Sequence, residues 1–427
     1  MTFNIPDTGQ TRVVIVGGGF AGLNLARQLS SAPDFQVVLI DKNNYHQFQP
    51  LFYQVAMAGL EPSSIVFPFR KVFQSSKNVF LRVTAVQRVD TSAQEVYSEE
   101  LGALHYDHLV LALGADTNWY GNEKIRANAI PMKSVSEALF LRNNIFEDYE
   151  KAATSPDYEE RQRYLDIVIV GGGPTGVEVA GALAEMKSNI IGKDYKDLNR
   201  EEINIHLVHG NPKVLNTMSA NASEKAERYL RELGVELWLD KVVKDYDGQT
   251  VTIDDGSTIR ADKVIWAAGI TANRIQGLPD SAYFRGGRLK VNAFNQVEGF
   301  ENIFAVGDMA FQTEEKFPEG HPQVAQVAIQ QSKNLGANLK RMRKQQTLSP
   351  FRYKDLGSMA TIGRHRAVVD LPFWRFQGAF AWFVWMFVHL FAILGAKNKV
   401  FIFMNWLWNY VTYDQSLRLS IRPFKRD

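Results

Sequence analysis

The feature that most constrains this chain is a strand-and-glycine pattern that occurs twice. Val13-Val14-Ile15-Val16 runs directly into Gly17-Gly18-Gly19-Phe20-Ala21-Gly22. Four β-branched residues in a row read as a strand buried on both faces, and the glycines after them open a helix. The next apolar run, Val37 to Ile40, ends at Asp41, about where a Rossmann unit places its ribose-holding acid. The same order returns at Ile167 to Val170, followed by Gly171-Gly172-Gly173-Pro174-Thr175-Gly176 and a strand candidate from Ile203 to His209.

The later parts of the two patterns also correspond. Leu109 to Leu113 ends at Gly114, and Val264 to Ala268 ends at Gly269. Gly17 to Gly114 spans 97 positions and Gly171 to Gly269 spans 98, which is duplication at the scale of a domain. After the second copy, Ile303 to Val306 makes another buried strand ending in Gly307-Asp308, with a helical pattern from Pro322 to about Met342. The expected fold class is therefore α/β, with two Rossmann-type dinucleotide-binding domains, the second inserted in the first. The boundaries expected are 8–125 with 290–345, then 126–289, with a C-terminal helical membrane-association region over 346–427.

In a Gly-x-Gly-x-x-Gly turn the first glycine permits the bend and the second lets the backbone approach a pyrophosphate, which rests on the positive end of the helix. Gly17, Gly19 and Gly22 fit those roles, and Gly171, Gly173 and Gly176 repeat them. Two adenine dinucleotides are expected, one a bound electron carrier if the other is a diffusing nicotinamide. Asp308, at a strand end near the first site, is placed to hold a ribityl hydroxyl, against the plainer reading of an N-cap aspartate.

Composition narrows the chemistry. Cysteine is absent, which excludes thiolate metal sites, disulfides and every reductase working through a redox-active cysteine pair, sulfide-oxidising quinone reductases included. Lys and Arg total 48 against 46 for Asp and Glu, so there is no basic footprint for nucleic acid. The N-terminus has no charged region leading into a cleavable apolar stretch, and the catalytic part is expected to face the cytoplasm. Phe376 to Ala396 is a 21-residue stretch without charge, long enough to span a bilayer. Its Phe and Trp content, Gln377, Gly378 and His389, and Lys397 and Lys399 before a second aromatic run favour two helices lying in the leaflet surface. Arg418, Arg422, Lys425 and Arg426 would supply a basic end for anionic head groups. The same tail also reads as a dimer interface. No run of intramembrane ionisable residues is visible, so electron transfer without pumping is expected.

The order GGGFAG, LALGA, GGGPTGVE, WAAGI, FAVGDMA and AQVAIQ, with YHQFQPLFYQVA near residue 50 and the aromatic C-terminus, resembles the type II NADH:quinone oxidoreductases over nearly the whole chain. That resemblance implies FAD in the first domain, held through Gly17, Gly19, Phe20, Ala21, Gly22, Asp41, Lys42, Gln54, Gly114, Gly307, Asp308 and Gln326, with Pro50 and Leu51 beside the ring. NADH would use Gly171, Gly173, Thr175, Gly176, Glu178, His209, Ala268 and Gly269. Hydride passage to flavin needs close stacking and no protein acid or base, so no triad or metal cluster is expected.

Quinone reduction needs protons. Glu178 resembles the family's glutamate at this point, although an acid near a helix start also suits the helix dipole. Gln326 and Gln330 lie four apart on one helical face, where the resemblance puts the quinone site. These three are the candidate catalytic residues. His209 stands where many NADH-binding relatives carry an acid, so NADH is expected with NADPH possible. The implied enzyme is a non-pumping respiratory NADH:quinone oxidoreductase, peripheral on the cytoplasmic side of the inner (plasma) membrane and homodimeric. A soluble NAD(P)H-dependent flavin reductase of a protein acceptor and a non-catalytic redox-sensing flavoprotein share the glycine turns. Neither has a use for the aromatic tail.

Overall fold

The computed structural model describes residues 1–412 and 417–421. They form two compact units, each interrupted in sequence. The first comprises Met1–Gln47, Val66–Asp116 and Ile270–Asp355; the second comprises Phe48–Ile65, Thr117–Gly269 and the chain from Leu356.

The first unit is built on a five-stranded parallel sheet in the order Ile303–Ala305, His108–Leu111, Thr11–Val16, Phe35–Asp41, Val79–Val83. Val13 pairs with Val37 on one side and with His108 on the other, so the central strand is covered at both edges. Both faces are covered as well: Val13, Val14, Ile15 and Val37 to Ile40 are all essentially inaccessible. This is why the sequence shows continuous apolar runs and not alternation. The Phe20–Leu29 helix packs against Ala325–Arg343, where Lys340 Nζ reaches the Gln28 carbonyl at 2.8 Å. The second of these helices starts three residues later than the apolar pattern predicts, because Val324 adopts extended backbone as its N-cap.

The second unit repeats the sheet: Ile130–Pro131, Lys263–Trp266, Ile167–Val170, Ile205–His209, Val235–Leu239, all parallel. The expected strand from Ile203 is shortened at its start, since Arg200–Glu202 forms a turn of 3-10 helix ahead of it.

The chain from Leu356 clusters with this second unit. Its antiparallel sheet Ser358–Gly363, Arg366–Asp370, Arg375–Gln377 lies on the Pro174–Met186 helix, where a Cβ on Gly181 would collide with the Ile362 carbonyl. The Asp370 carboxylate takes hydrogen bonds from Ser219 N at 2.6 Å and Ser219 Oγ at 3.0 Å.

The charge-free stretch is not one element. It divides into a strand end, the 14-residue helix Ala379–Ala392 and a break; a separate 17-residue helix, Ala396–Thr412, starts at its last residue. At 1.5 Å per residue these reach roughly 21 and 26 Å, short of a ~30 Å hydrocarbon core. Among the described residues no helix is long and apolar enough to cross a membrane. Each helix buries one side, Ala381 with Trp385 and Ile402 with Trp406, and exposes Phe380, Phe383, Phe387, Phe391, Phe401, Met404 and Trp408 on the other. Arg418 is paired with Asp194 at 3.1 Å, while Arg422, Lys425 and Arg426 lie outside the described residues.

Candidate active site

Each unit carries a phosphate cradle at the corresponding place. In the first, Gly17 has φ +104°, in the second Gly171 has φ +114°, and both give their N–H to the neighbouring strand, at 2.7 Å to Ile40 O and 2.8 Å to Val208 O. A Cβ on Gly22 would strike the Gly17 carbonyl, and one on Gly176 the Gly171 carbonyl. Gly19 and Gly173 are the N-caps of their helices, with open space where a Cβ would stand, no side-chain cap and no acid in the first turn. The amide groups and positive helix end thus face an open concavity, a chemistry that fits the pyrophosphate of an adenine dinucleotide.

The ends of the second strands differ. Asp41 accepts from Gly18 N at 2.6 Å and from Asn43 N at 2.7 Å. Burial raises its pKa, and these two amides pull it back down. The equivalent amide of the second unit, Gly172 N, donates at 3.0 Å to His209 Nδ1. His209 is half-buried and its pKa is lowered by that burial, so an uncharged ring stands where the first unit has a carboxylate.

The other residues expected around the first cradle lie in the same unit, except Gln54, Pro50 and Leu51, which belong to the second. Gly307 backs onto Ala21 and Ala328, and Asp308 follows it in a short 3-10 turn, half-buried. Gly114 has its carbonyl held by Asn273 N at 3.1 Å. Gln326 accepts from the Tyr353 hydroxyl at 3.2 Å. Gln330 uses both ends of its amide on Lys354, at 2.8 Å to O and 3.0 Å from N. Sequence reasoning missed Gln331, which is fully buried and accepts from Gly307 N at 2.7 Å, fixing the Gly-Asp turn. His46 was missed too: buried, its Nδ1–H donates to the Gly18 carbonyl at 3.1 Å. In the second unit the Gly269 carbonyl takes Asn118 N at 3.0 Å and the Ala268 carbonyl takes the Tyr120 hydroxyl at 2.8 Å, while Thr175 is exposed on the first turn.

The second unit also encloses a cavity of about 710 Å³. That lies within the range of small-molecule sites. One wall is the Pro174–Met186 helix with Glu178, another the two C-terminal helices with Trp385 and Trp406, and a third the Phe52–Ala56 helix with Tyr53 and Gln54. A directed set of hydrogen bonds joins them. Trp406 Nε1–H donates to Gln54 Oε1 at 2.7 Å, Gln54 Nε2–H to Tyr53 Oη at 2.9 Å, and the Tyr53 proton is left for Thr361 Oγ1 at 3.1 Å. Thr361 N reaches Glu178 Oε1 at 3.5 Å. Burial pushes the Glu178 carboxyl up to about 8, the Thr361 amide opposing it weakly. Glu178 is the fifth residue of its helix, beyond the first turn, so the dipole does not account for it. A buried carboxyl that keeps its proton at neutral pH while lining a cavity is suited to general-acid work. Gln54, expected at the flavin, has its amide in this set; Tyr53 and Thr361 were not singled out from the sequence.

Residues 11–332 match the pyridine nucleotide-disulphide oxidoreductase family and residues 356–412 the NDH2 C-terminal domain. The type II NADH:quinone oxidoreductase Ndh of Mycobacterium tuberculosis is 36% identical over 94% of this chain and 88% of its own length. The internal alternative NAD(P)H-ubiquinone oxidoreductase A1 of Arabidopsis thaliana mitochondria is 26% identical over 94% of this chain and 84% of its own. Among solved structures, NDH2 from Plasmodium falciparum in complex with NADH superposes with TM-score 0.87 at 22% identity, covering 97% of this chain and 100% of that one. The sulfide:quinone oxidoreductase of Aquifex aeolicus shares the fold at TM-score 0.71 and 18% identity, covering 89% and 90%.

Proposed function

The chain belongs to the type II NADH:quinone oxidoreductase family, and from that membership we propose that it is an FAD-dependent dehydrogenase passing two electrons from NADH to a membrane quinone without pumping ions. When bound, FAD supplies the two-electron relay between nicotinamide and quinone. The protein's own residues bind, orient and protonate. Gly17, Gly19, Phe20, Ala21, Gly22, Asp41, Lys42, Gly114, Gly307, Asp308 and Gln326 are assigned to FAD, in the domain running over 8–125 and 290–345. Gly171, Gly173, Thr175, Gly176, His209, Ala268 and Gly269 are assigned to the nicotinamide, in 126–289. His209 brings no negative charge to the ribose, so NADPH is accepted beside NADH.

The observation that carries the quinone reading is the Glu178 chamber. A protonated carboxyl and the Tyr53–Gln54 pair line a space walled by Trp385 and Trp406, on helices that turn Phe383, Phe387 and Met404 outward. A lipid-borne acceptor thus meets an apolar approach and a proton source in one place. Glu178 donates the proton; Gln326 and Gln330, assigned to the quinone by the family resemblance, do not line this chamber, and Gln330 holds the Lys354 backbone.

The outward aromatic faces are proposed to lie in one leaflet of the inner membrane on its cytoplasmic side, with the same region over 346–427 offering the pairing surface of a homodimer. The decisive experiment is a steady-state assay. Purified yellow protein oxidises NADH rapidly only when quinone is supplied; turnover with a ferredoxin but not with quinone overturns the assignment.

A further inference from the structure

Reducing a quinone to a quinol takes two electrons and two protons. The nicotinamide delivers both electrons and one proton as a hydride, so each turnover consumes one more proton from water. Glu178 gives away the single proton it holds and must then be recharged, yet it stands inside the cavity with burial opposing its charged form.

The same helix presents a second carboxyl to the same cavity. Glu185 lies seven residues after Glu178, two turns on and therefore on one face, roughly 10 Å along the axis. Its Oε1 accepts from Arg364 N. Burial raises its pKa, and the Arg364 amide with the charges of Arg366 and Arg364 opposes that rise. The Tyr53 hydroxyl lines the same cavity, and burial first, then the charges of Glu178 and Glu185, raise its pKa. Past Glu185 the lining continues to Glu232 and Arg366, 3.8 Å apart with their side chains 45% and 34% exposed, where the cavity meets water. Tyr229, His365 and Tyr410 complete the titratable groups around this half of the lining.

On the reading of this cavity as the quinone site, we propose that Glu185 is a second proton carrier of the reaction, taking protons from water at the Glu232–Arg366 mouth and returning them to Glu178. Quinone receives two electrons and one proton from the hydride and one proton from Glu178; Glu178, left as carboxylate, is reprotonated from Glu185 through water in the cavity between them; and Glu185 takes one proton from water outside. Glu185 acts through Glu178 and not on the quinone.

The test is Glu185→Gln, whose amide oxygen still accepts from Arg364 N. Two half-reactions are followed by stopped-flow absorbance: bleaching by NADH, and return of colour with a short-chain quinone. Bleaching is expected at the wild-type rate. Return of colour is expected to slow about tenfold, with a larger solvent deuterium isotope effect and partial recovery in formate buffer. Glu185→Asp, which keeps a carboxyl, should recover most of the rate. An unaltered rate and isotope effect in Glu185→Gln overturns the proposal, as does a Glu185→Asp variant slowed as much as Glu185→Gln, which would make the side chain a spacer. Failure of quinone to restore colour in the wild type strikes the quinone reading itself and is told apart by that control.

Discussion

Gly172 N donates a hydrogen bond to Nδ1 of His209 at 3.0 Å, which leaves the ring proton on Nε2 and the side chain without charge. Since a backbone amide is always a donor, Nδ1 must be unprotonated, and the lowered pKa agrees with that. An imidazole held this way neither accepts the ribose diol through a carboxylate nor repels a phosphate in its place. His209→Glu should therefore cut kcat/KM for NADPH at least about tenfold while changing that for NADH little. An unchanged ratio of the two specificity constants would remove position 209 from the nucleotide site.

Glu178→Gln should leave reduction by NADH intact and slow reoxidation by quinone about a hundredfold, the usual scale of a lost general acid. In the wild type the same step should be fast below pH 8 and decline above it, as the carboxyl that titrates at about 8 loses its proton. Stopped-flow rates between pH 6 and pH 10 check both; a flat profile with Glu178 present contradicts the role.

Stability should move the other way from the usual carboxylate. Because the folded pKa of Glu178 is raised to about 8 above its ordinary value, the unfolded chain releases this proton first, and stability falls as pH climbs through that window. The slope from this one group is about 1.4 kcal/mol per pH unit, ending once the folded carboxyl also ionises. Glu178→Gln should accordingly match the wild type in acid and melt at a higher temperature near pH 9. Identical melting curves there would mean the carboxyl is not buried in its neutral form.

The two cradles can be separated by equivalent changes. Gly22→Ala sets a Cβ against the Gly17 carbonyl and should yield colourless protein, whereas Gly176→Ala does the same to Gly171 and should yield yellow protein that NADH cannot bleach. If Gly176→Ala lost its colour and Gly22→Ala kept it, the assignment of the two nucleotides would be reversed.

Both cradles were legible in the sequence because each is written locally: a β-branched run, spaced glycines, and a second strand of fixed separation. The 97 and 98 position spacings carried the duplication as well. The chamber was not legible, because its members come from distant segments brought together by packing. Nothing local to YHQFQPLFYQVA indicates that Gln54 will receive the indole N–H of Trp406. Nor does a buried Gln331 differ, in sequence, from its neighbour Gln330, which clamps a loop. The single 21-residue apolar stretch was ambiguous for the same reason: its helix ends at Ala392 and a second begins only at Ala396, each with a tryptophan, Trp385 or Trp406, buried in the fold.

Those helices give a further expectation. Phe387 and Phe391 are 62% and 61% exposed, and each should contribute on the order of 1.5–3 kcal/mol when withdrawn from water into lipid. The double change to serine should lower the fraction sedimenting with anionic vesicles at least tenfold while NADH still bleaches the flavin. Equal sedimentation would rule out this face as the lipid contact.

The Pro174–Met186 helix begins at the Gly173 cap of the second cradle and carries Glu178, Gly181 and Glu185 along its length. It has a glycine cradle at its tip and two acids on its flank, and midway it packs so closely that a Cβ on Gly181 would meet the Ile362 carbonyl. One unbroken helix thus joins the place proposed for the nicotinamide to the acids proposed for the quinone, so the two sites share a single stiff support.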